Sequence, residues 1–254
     1  MPWDPRQYLS FGSERLRPAM DLLARVPLEA PERLVDLGCG TGSATRLLRQ
    51  RWPVADILGV DNSPEMLREA SKAAVGLRCE EADLNNWSPE APVDLLFSNA
   101  TLHWLDGHST LFPRLAGFLR PGGCLAVQMP HNQISPSHTA VFEAADAGPW
   151  RKRLHPLLRP LPVHDPMAYH RWLSPLARRM DIWETEYLHI LDGEDPVTEW
   201  TRGSLLVPLL DALQPEEREP FLEVYRTKVR TAYPRRPDGR TLFPFKRLFL
   251  VAEF

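Results

Sequence analysis

The first half of the chain alternates short apolar runs with amphipathic stretches of helical periodicity. The apolar runs favour strands, and their alternation with helices predicts βαβ units that form a parallel sheet covered by helices. Strands are predicted at residues 33–37, 56–60, 76–81, 93–98 and 123–128. Helices are predicted between them at residues 43–51, 64–74 and 108–119.

The second half has a different pattern, in which proline is frequent and helices are short. Proline fits the first turn of a helix, so a polar residue followed by proline predicts a helix start. Helices are predicted at residues 137–147 and after the pairs 165–166, 195–196 and 214–215. Late strands are predicted at residues 181–191 and 242–254. We expect the final strand to pair at the sheet edge or to insert between strands, with the helices forming a cap.

Composition and charge argue against a protein that binds nucleic acid, spans a membrane or is secreted. Of the 254 residues, 43% are hydrophobic and 25% are charged, which is ordinary globular usage. The net charge of -3 gives no basic field for nucleic acid or anionic lipid. Apolar runs such as residues 205–210 are too short to span a bilayer, and residues 1–4 lack the pattern of a secretory signal.

The three cysteines, Cys39, Cys79 and Cys124, are odd in number, and none has metal-ligand spacing relative to another. Each lies in or beside a predicted strand. We therefore expect buried thiols in a reducing, cytoplasmic compartment and no metal site.

A glycine-rich turn joins the first strand to the first helix of the alternating region, with glycines at positions 38, 40 and 42. Glycine lets the backbone turn tightly and approach a ligand, and the amides at the start of the next helix favour an anionic group. By itself the turn fits a dinucleotide, a nucleoside or a sharp corner without a ligand.

Three acidic residues narrow this choice because they lie at the carboxyl ends of successive strands, where open α/β sheets bind ligands. Asp36 suits a cationic amine, Asp61 can accept both hydroxyls of a ribose, and Asp83 can accept from the amine of an adenine packed on Leu84. A dinucleotide is disfavoured, since Ser43 stands where its motif needs glycine and Asp36 would repel a pyrophosphate. An adenosine with a free amine and no phosphate, as in S-adenosylmethionine, fits the pattern.

The end of the fourth strand, residues 97–104, is predicted to face the donor sulfur. Asn99 and Ala100 can offer backbone groups to the methionine moiety, and His103 and Trp104 stand where a methyl acceptor would lie. His103 could equally be a loop histidine, and Trp104 could be a core residue.

These residues, with the turn at 121–123, resemble the class I S-adenosylmethionine-dependent methyltransferases. Further segments are similar to the members of that family that esterify trans-aconitate. They run from one end of the chain to the other, at residues 3–11, 14–19, 82–87, 125–130, 181–183 and 247–252.

The resemblance implies a Rossmann-like open α/β sheet, mostly parallel with an antiparallel late strand, plus a helical cap. Residues 1–130 would supply an N-terminal lid and the cofactor-binding half, and residues 131–254 the cap helices and last two strands of the same domain. The implied cofactor-binding residues are Asp36, Gly38, Gly40, Gly42, Asp61, Asn62, Met66, Asp83, Leu84, Asn99 and Ala100.

The implied reaction is methyl esterification of one carboxylate of trans-aconitate, with S-adenosylhomocysteine as the second product. A carboxylate is ionised at neutral pH, so we expect alignment and water exclusion rather than a general base. Methylation of another small or carrier-bound acid, such as a malonyl group, stays open. So does a protein that binds S-adenosylmethionine without turnover, and a nicotinamide oxidoreductase is the least favoured alternative.

A small tricarboxylate substrate needs cationic and hydrogen-bonding partners, and guanidinium suits carboxylates because its donors form a fork. We also expect a monomer or weak homodimer. The predicted substrate-binding residues are Tyr8, Arg15, Arg17, His103, Trp104, His131, Arg202 and Arg247, with Arg171 and Lys246 as further candidates.

Overall fold

The computed structural model describes residues 12–73, 77–158 and 162–254, and contains a seven-stranded sheet of order β3-β2-β1-β4-β5-β7-β6. The first five strands pair in parallel, whereas β7 runs antiparallel to β5. The strands are β1 Arg33–Leu37, β2 Asp56–Asp61, β3 Arg78–Glu81, β4 Val93–Asn99, β5 Leu119–Pro130, β6 Arg179–Leu191 and β7 Thr241–Glu253.

The central strands are buried along nearly their whole length, which explains why the sequence shows them as unbroken apolar runs. In β1 only Arg33 is exposed, and in β4 every residue before Asn99 is buried. Chain order reverses on either side of β1, because β2 follows on one side and β4 lies on the other. Open α/β sheets bind ligands at such a reversal, outside the carboxyl ends of the strands.

Several helices begin at the signals found in the sequence. The Asp165 carboxylate accepts from the Met167 amide, the Ser63 hydroxyl accepts from the Met66 amide, and Gln214 forms a capping box with Glu217. The helices are α1 Gly12–Ala24, α2 Ser43–Arg51, α3 Pro64–Ala73, α4 His108–Ala116, α5 Pro136–Asp146, α6 Arg151–Leu154, α7 Pro166–Leu173, α8 Pro196–Arg202, α9 Val207–Ala212 and α10 Pro215–Ala232.

Some boundaries differ from the prediction. Helix α4 ends at Ala116, and Leu119, which we placed in the helix, starts β5 and pairs with Val93. The helix was overextended because its apolar periodicity continues past Gly117, where the chain turns. Strand β5 continues to Pro130, two residues beyond the prediction, because pairing with β7 extends to that point.

The chain divides into two compact units. Residues 12–130, 162–185 and 247–254 form the first, which contains the five parallel strands. The described part of the second covers residues 131–158 and 186–246, and its core is a cluster around Trp150, Trp200, Phe221 and Phe243. Within the described part of the chain, no helix is long and apolar enough to cross a membrane.

Candidate functional site

The glycine-rich turn after β1 adopts a conformation that side chains disfavour. Gly38, Gly40 and Gly42 have φ angles of 74°, 53° and 74°. The Val60 carbonyl accepts from the amides of Gly38 and Cys39 at 2.7 and 3.0 Å, which fixes the turn to the end of β2. A Cβ built on Gly38 would lie 2.1 Å from the side chain of Thr101, so this glycine is also needed for a close approach.

Asp36 lies beneath this turn, with only 1% of its surface exposed. The Thr45 hydroxyl donates to its Oδ2 at 2.6 Å, tying the end of β1 to helix α2. Burial raises the pKa of Asp36 to about 7, and the charge of Asp61 adds to the shift while the Thr45 bond opposes it. Asp36 is therefore held by helix α2, and its predicted contact with a ligand amine stays a prediction.

Asp61 at the end of β2 joins the turn to helix α3. Its Oδ2 accepts from the Gly40 amide and its Oδ1 from the Ser63 amide, both at 2.9 Å. Each oxygen keeps a lone pair for a further donor. The carboxylate is thus oriented by the backbone before any ligand binds.

Asp83 and Leu84 follow β3. Asp83 is exposed, and its Oδ1 accepts from the amide and the side chain of Asn85, both at 2.9 Å, which leaves Oδ2 to accept from a ligand. Leu84 is buried, as is Met66 in helix α3, whereas Asn62 is exposed. Exposed acceptors beside buried apolar side chains are the arrangement that an adenosine requires.

The end of β4 carries two unusual features. Ala100 has a φ of 56°, and its amide donates to the Gln128 carbonyl at 2.9 Å. Oδ1 of Asn99 is buried and accepts no hydrogen bond from the described residues. A buried acceptor without a donor is costly, and an ammonium group would supply one. This atom fits the amino group of a methionine moiety.

His103 and Trp104 lie in a short 3-10 turn, Leu102–Trp104, directly after this strand end. Their rings pack 4.7 Å apart, with His103 6% and Trp104 39% exposed. Because the indole of Trp104 is partly exposed, Trp104 is not the core residue that the sequence left open as an alternative. The two rings form a partly open aromatic wall beside the end of β4.

A histidine that the sequence analysis missed fixes this turn. Nε2 of His108 bonds to the Leu102 carbonyl at 2.9 Å and must donate there, so Nδ1 accepts from the Tyr169 hydroxyl at 2.7 Å. Burial lowers the pKa of His108, which keeps the ring neutral and this pattern intact. Tyr169 comes from helix α7, 61 residues away in sequence, so no local pattern indicated the pair.

Of the predicted substrate residues whose side chains the structure describes, Arg247 of β7 is the most buried, at 4% exposed. Its Nη1 donates to Oε1 of the fully buried Gln128 at 3.4 Å. Gln128 was also missed, although a glutamine inside the apolar strand 124–129 is itself a signal, because buried amides need partners.

The other predicted substrate residues stay predictions. Arg17 is exposed on helix α1 and Arg171 on α7. His131 and Arg202 belong to the second unit, where Arg202 pairs with Glu199 at 3.6 Å. The Lys246 carbonyl, also in that unit, accepts from the His131 amide. Tyr8 and the side chain of Arg15 lie outside the described residues.

A metal site was not expected, and no cluster of three or more histidine, cysteine or acidic side chains suited to a metal occurs among the residues of known placement. All three cysteines are free thiols. Burial raises the pKa of the Cys39, Cys79 and Cys124 thiols, in the last case to about 12, so each is protonated at neutral pH.

Comparison with known proteins places these features in a family. Residues 34–123 match a methyltransferase domain family model. The chain is 48% identical over 250 residues to a trans-aconitate 2-methyltransferase of Azoarcus sp. strain BH72, covering 98% of both chains. It is 50% identical over 252 residues to the protein of that name from Methylobacterium nodulans, covering 99% of this chain and 98% of the relative.

The fold is also found among solved structures. The YcgJ protein of Bacillus subtilis matches with a TM-score of 0.60 and 14% identity, over 93% of this chain and 98% of that one. At this identity the match supports the sheet architecture alone. The two relatives cover both units of the chain, not only the glycine-rich half.

Proposed function

The chain belongs to the trans-aconitate 2-methyltransferase family, and we propose that it transfers the methyl group of S-adenosylmethionine to one carboxylate of trans-aconitate. The products are a monomethyl ester and S-adenosylhomocysteine. The observation that carries this proposal is identity of 44–50% to several such enzymes over nearly the whole chain, including the segments outside the cofactor half.

The strand ends support a cofactor site with four parts. The left-handed turn at Gly38, Gly40 and Gly42 allows the ligand to approach the backbone closely. Asp61 would accept from the ribose hydroxyls with the lone pairs that its two backbone bonds leave. Asp83 would accept from the adenine amine through Oδ2.

Asn99 would complete this site at the methionine end, where its buried Oδ1 can accept from the ammonium. Asp36, once ionised, adds negative charge at the end of β1, which favours a cation over a pyrophosphate. Together these residues would suit a cationic, phosphate-free nucleoside, which supports the proposal.

The bound cofactor supplies an electrophilic methyl group on a sulfonium, and a carboxylate is already nucleophilic at neutral pH. The tasks left to the protein are to align the acceptor oxygen with the methyl carbon and to keep water out. His103 at 6% exposure and Arg247 at 4% can contact an anion in a nearly dry environment, where a charged hydrogen bond is strong.

The direct experiment incubates the protein with S-adenosylmethionine and a panel of di- and tricarboxylates, and measures S-adenosylhomocysteine and methyl ester by mass spectrometry. We expect trans-aconitate to be esterified much faster than the other acids. Faster turnover of another acid would identify that acid, rather than trans-aconitate, as the substrate. Cofactor binding with no ester from any acid would overturn the enzymatic proposal.

A pair of variants on the same strand tests the cofactor site. Asp61→Asn removes the carboxylate that we assign to the ribose and should raise the Kd for S-adenosylmethionine about 10- to 100-fold, as expected for hydrogen bonds to a charged group. Asp56→Asn is the matched control, because Asp56 lies at the other end of β2 and pairs with Arg78 on the surface. If calorimetric titration shows that the two variants change the Kd for S-adenosylmethionine equally, Asp61 is not part of the cofactor site.

We also propose that the enzyme works in the cytoplasm as a monomer or weak homodimer. Three free, protonated thiols suit a reducing compartment. Sedimentation equilibrium of the purified protein measures the oligomeric state directly.

A further inference from the structure

One face of the sheet collects the polar side chains that lie at the strand ends. Paired residues in neighbouring strands point to the same face, and the register pairs Asp36 with Phe97, Asn99 with Gln128, and Pro130 with Arg247. Because side chains alternate along a strand, Asp36, Asn99, Gln128 and Arg247 share that face. They extend across four neighbouring strands, β1, β4, β5 and β7.

Gln128 has an amide whose orientation is determined by its neighbour. A guanidinium has only donors, so the group facing Nη1 of Arg247 must be the Gln128 oxygen, and Nε2 points the other way. The side chain is fully buried, and Nε2 donates to no acceptor in the described ranges 12–73, 77–158 and 162–254. A buried amide donor without an acceptor is destabilising, so a ligand that supplies one is favoured there.

The position of Gln128 in the sheet indicates which ligand would supply the acceptor for its Nε2. The glycine turn and Asp36 belong to β1, Asn99 belongs to β4, and Gln128 lies one strand further from the turn, about 5 Å away. This is the direction in which a methyl acceptor must lie if the methionine end meets Asn99. Beside Gln128 lies Arg247, a permanent cation. An amide donor and a guanidinium in contact form a receptor for a carboxylate.

We propose that Gln128 is a specificity-determining residue, whose Nε2 donates to a carboxylate of the acceptor while Arg247 orients the amide and supplies charge. The inference rests on the proposed function, since it assigns part of the acceptor site of that reaction. The S-adenosylmethionine carboxylate is the other carboxylate nearby, and the experiment separates the two.

Gln128→Glu is the most informative variant. It keeps the shape of the side chain and its contact with Arg247, but replaces the donor with a carboxylate oxygen that repels an anionic acceptor. Gln50→Glu is the matched control, because it adds the same charge on the exposed surface of helix α2. Urea unfolding of both variants checks that the fold is intact, and Gln128→Met removes the donor without adding charge.

We expect Gln128→Glu to raise the KM for trans-aconitate at least 10- to 100-fold, with the Kd of S-adenosylmethionine changed less than about threefold. Gln128→Met should lie between Gln128→Glu and the wild type, and Gln50→Glu should match the wild type. The increase in KM caused by Gln128→Glu should be smaller for a dicarboxylate that lacks the carboxylate to which Gln128 donates. A purely structural role would instead affect all acids equally.

Three results would overturn the proposal: an unchanged KM, an equal penalty for every acid, or a loss confined to S-adenosylmethionine affinity, which would assign Gln128 to the cofactor carboxylate. If wild type esterifies no acid, the proposed function fails separately. Calorimetric titration of trans-aconitate into the complex with S-adenosylhomocysteine then tests Gln128 alone. Binding to wild type that is lost in Gln128→Glu supports the role, and no binding to wild type overturns it.

Discussion

Gly38→Ala is the substitution for which the structure predicts the sharpest effect on stability. The new Cβ would lie 2.1 Å from Oγ1 and Cγ2 of Thr101 and 2.5 Å from its Cβ. Thr101 cannot simply rotate away, because its Cβ is itself too close and its hydroxyl donates to the Gly38 carbonyl at 3.1 Å. Backbone must therefore move in the turn or in the end of β4.

Two costs contribute to the expected loss. A non-glycine residue at φ 74° costs about 1–2 kcal/mol, and forcing a methyl group into a filled space costs about 1–3 kcal/mol. Restricting the unfolded chain returns about 0.4–1 kcal/mol. We expect a net destabilisation of about 1–4.6 kcal/mol, a large part of the stability of an ordinary domain.

Gly40→Ala is the matched control, because Gly40 has a φ of 53° in the same turn and nothing lies within 4 Å of its Cβ position. It should cost about 0–1.6 kcal/mol, since only the backbone cost and the return from the unfolded chain apply. Urea unfolding without cofactor measures both variants, which keeps any ligand contact out of the comparison. In a Thr101→Gly background the additional cost of Gly38→Ala should fall to that of Gly40→Ala.

The reasoning is refuted if Gly38→Ala and Gly40→Ala are equally stable in urea. It is also refuted if Thr101→Gly leaves the cost of Gly38→Ala undiminished. The first result would mean that the turn relaxes freely, and the second that Thr101 is not the obstacle.

Other predictions concern buried ionisable groups. Because the pKa of Asp36 is raised to about 7, the ligand-free protein should lose stability as pH rises from about 4 to 7. Its affinity for cationic S-adenosylmethionine should rise through pH 7. Calorimetry in buffers of different ionisation enthalpy should detect proton release on binding, and Asp36→Asn should abolish that release. Because burial lowers the pKa of His138 to about 4, stability should fall by up to about 3 kcal/mol as pH drops from 6.5 to 4, and urea unfolding of His138→Gln should show a flatter slope. Tyr169→Phe should cost about 1–3 kcal/mol in urea unfolding, because it leaves Nδ1 of His108 without its donor, and a neutral result would contradict the assigned hydrogen bond.

The sequence predicts β1 and β4 closely because both strands are almost wholly buried, whereas β3 at the sheet edge is mostly exposed. Residues 33–37 and the helix at 43–51 were placed to the residue. The strand is an apolar run that ends at the glycine-rich turn, and the helix begins directly after that turn, at Ser43. The position of the last strand was left open between the sheet edge and its interior. Pairing partners are chosen by packing over the whole sheet, and nothing local in residues 242–254 specifies them.

The candidate site was likewise predictable only where a local sequence pattern marks its residues. Asp61 and Asp83 could be found because each follows a strand, and strand ends meet at one edge of a parallel sheet. The contact between Gln128 and Arg247 could not, because it joins residues separated by 119 positions and depends on the register of an antiparallel pair. The choice among the predicted arginines likewise required burial, which sequence does not reveal.

The insertion of β7 between β5 and β6 has a consequence for the order of folding. The five parallel strands need only contacts within residues 33–130, whereas the β5–β7 pair must close a chain segment of more than a hundred residues. Non-local pairing of this kind is slow, so a five-stranded intermediate with the apolar edge of β5 unpaired should form first. That edge is a template for pairing between chains, and it is where aggregation during refolding should begin.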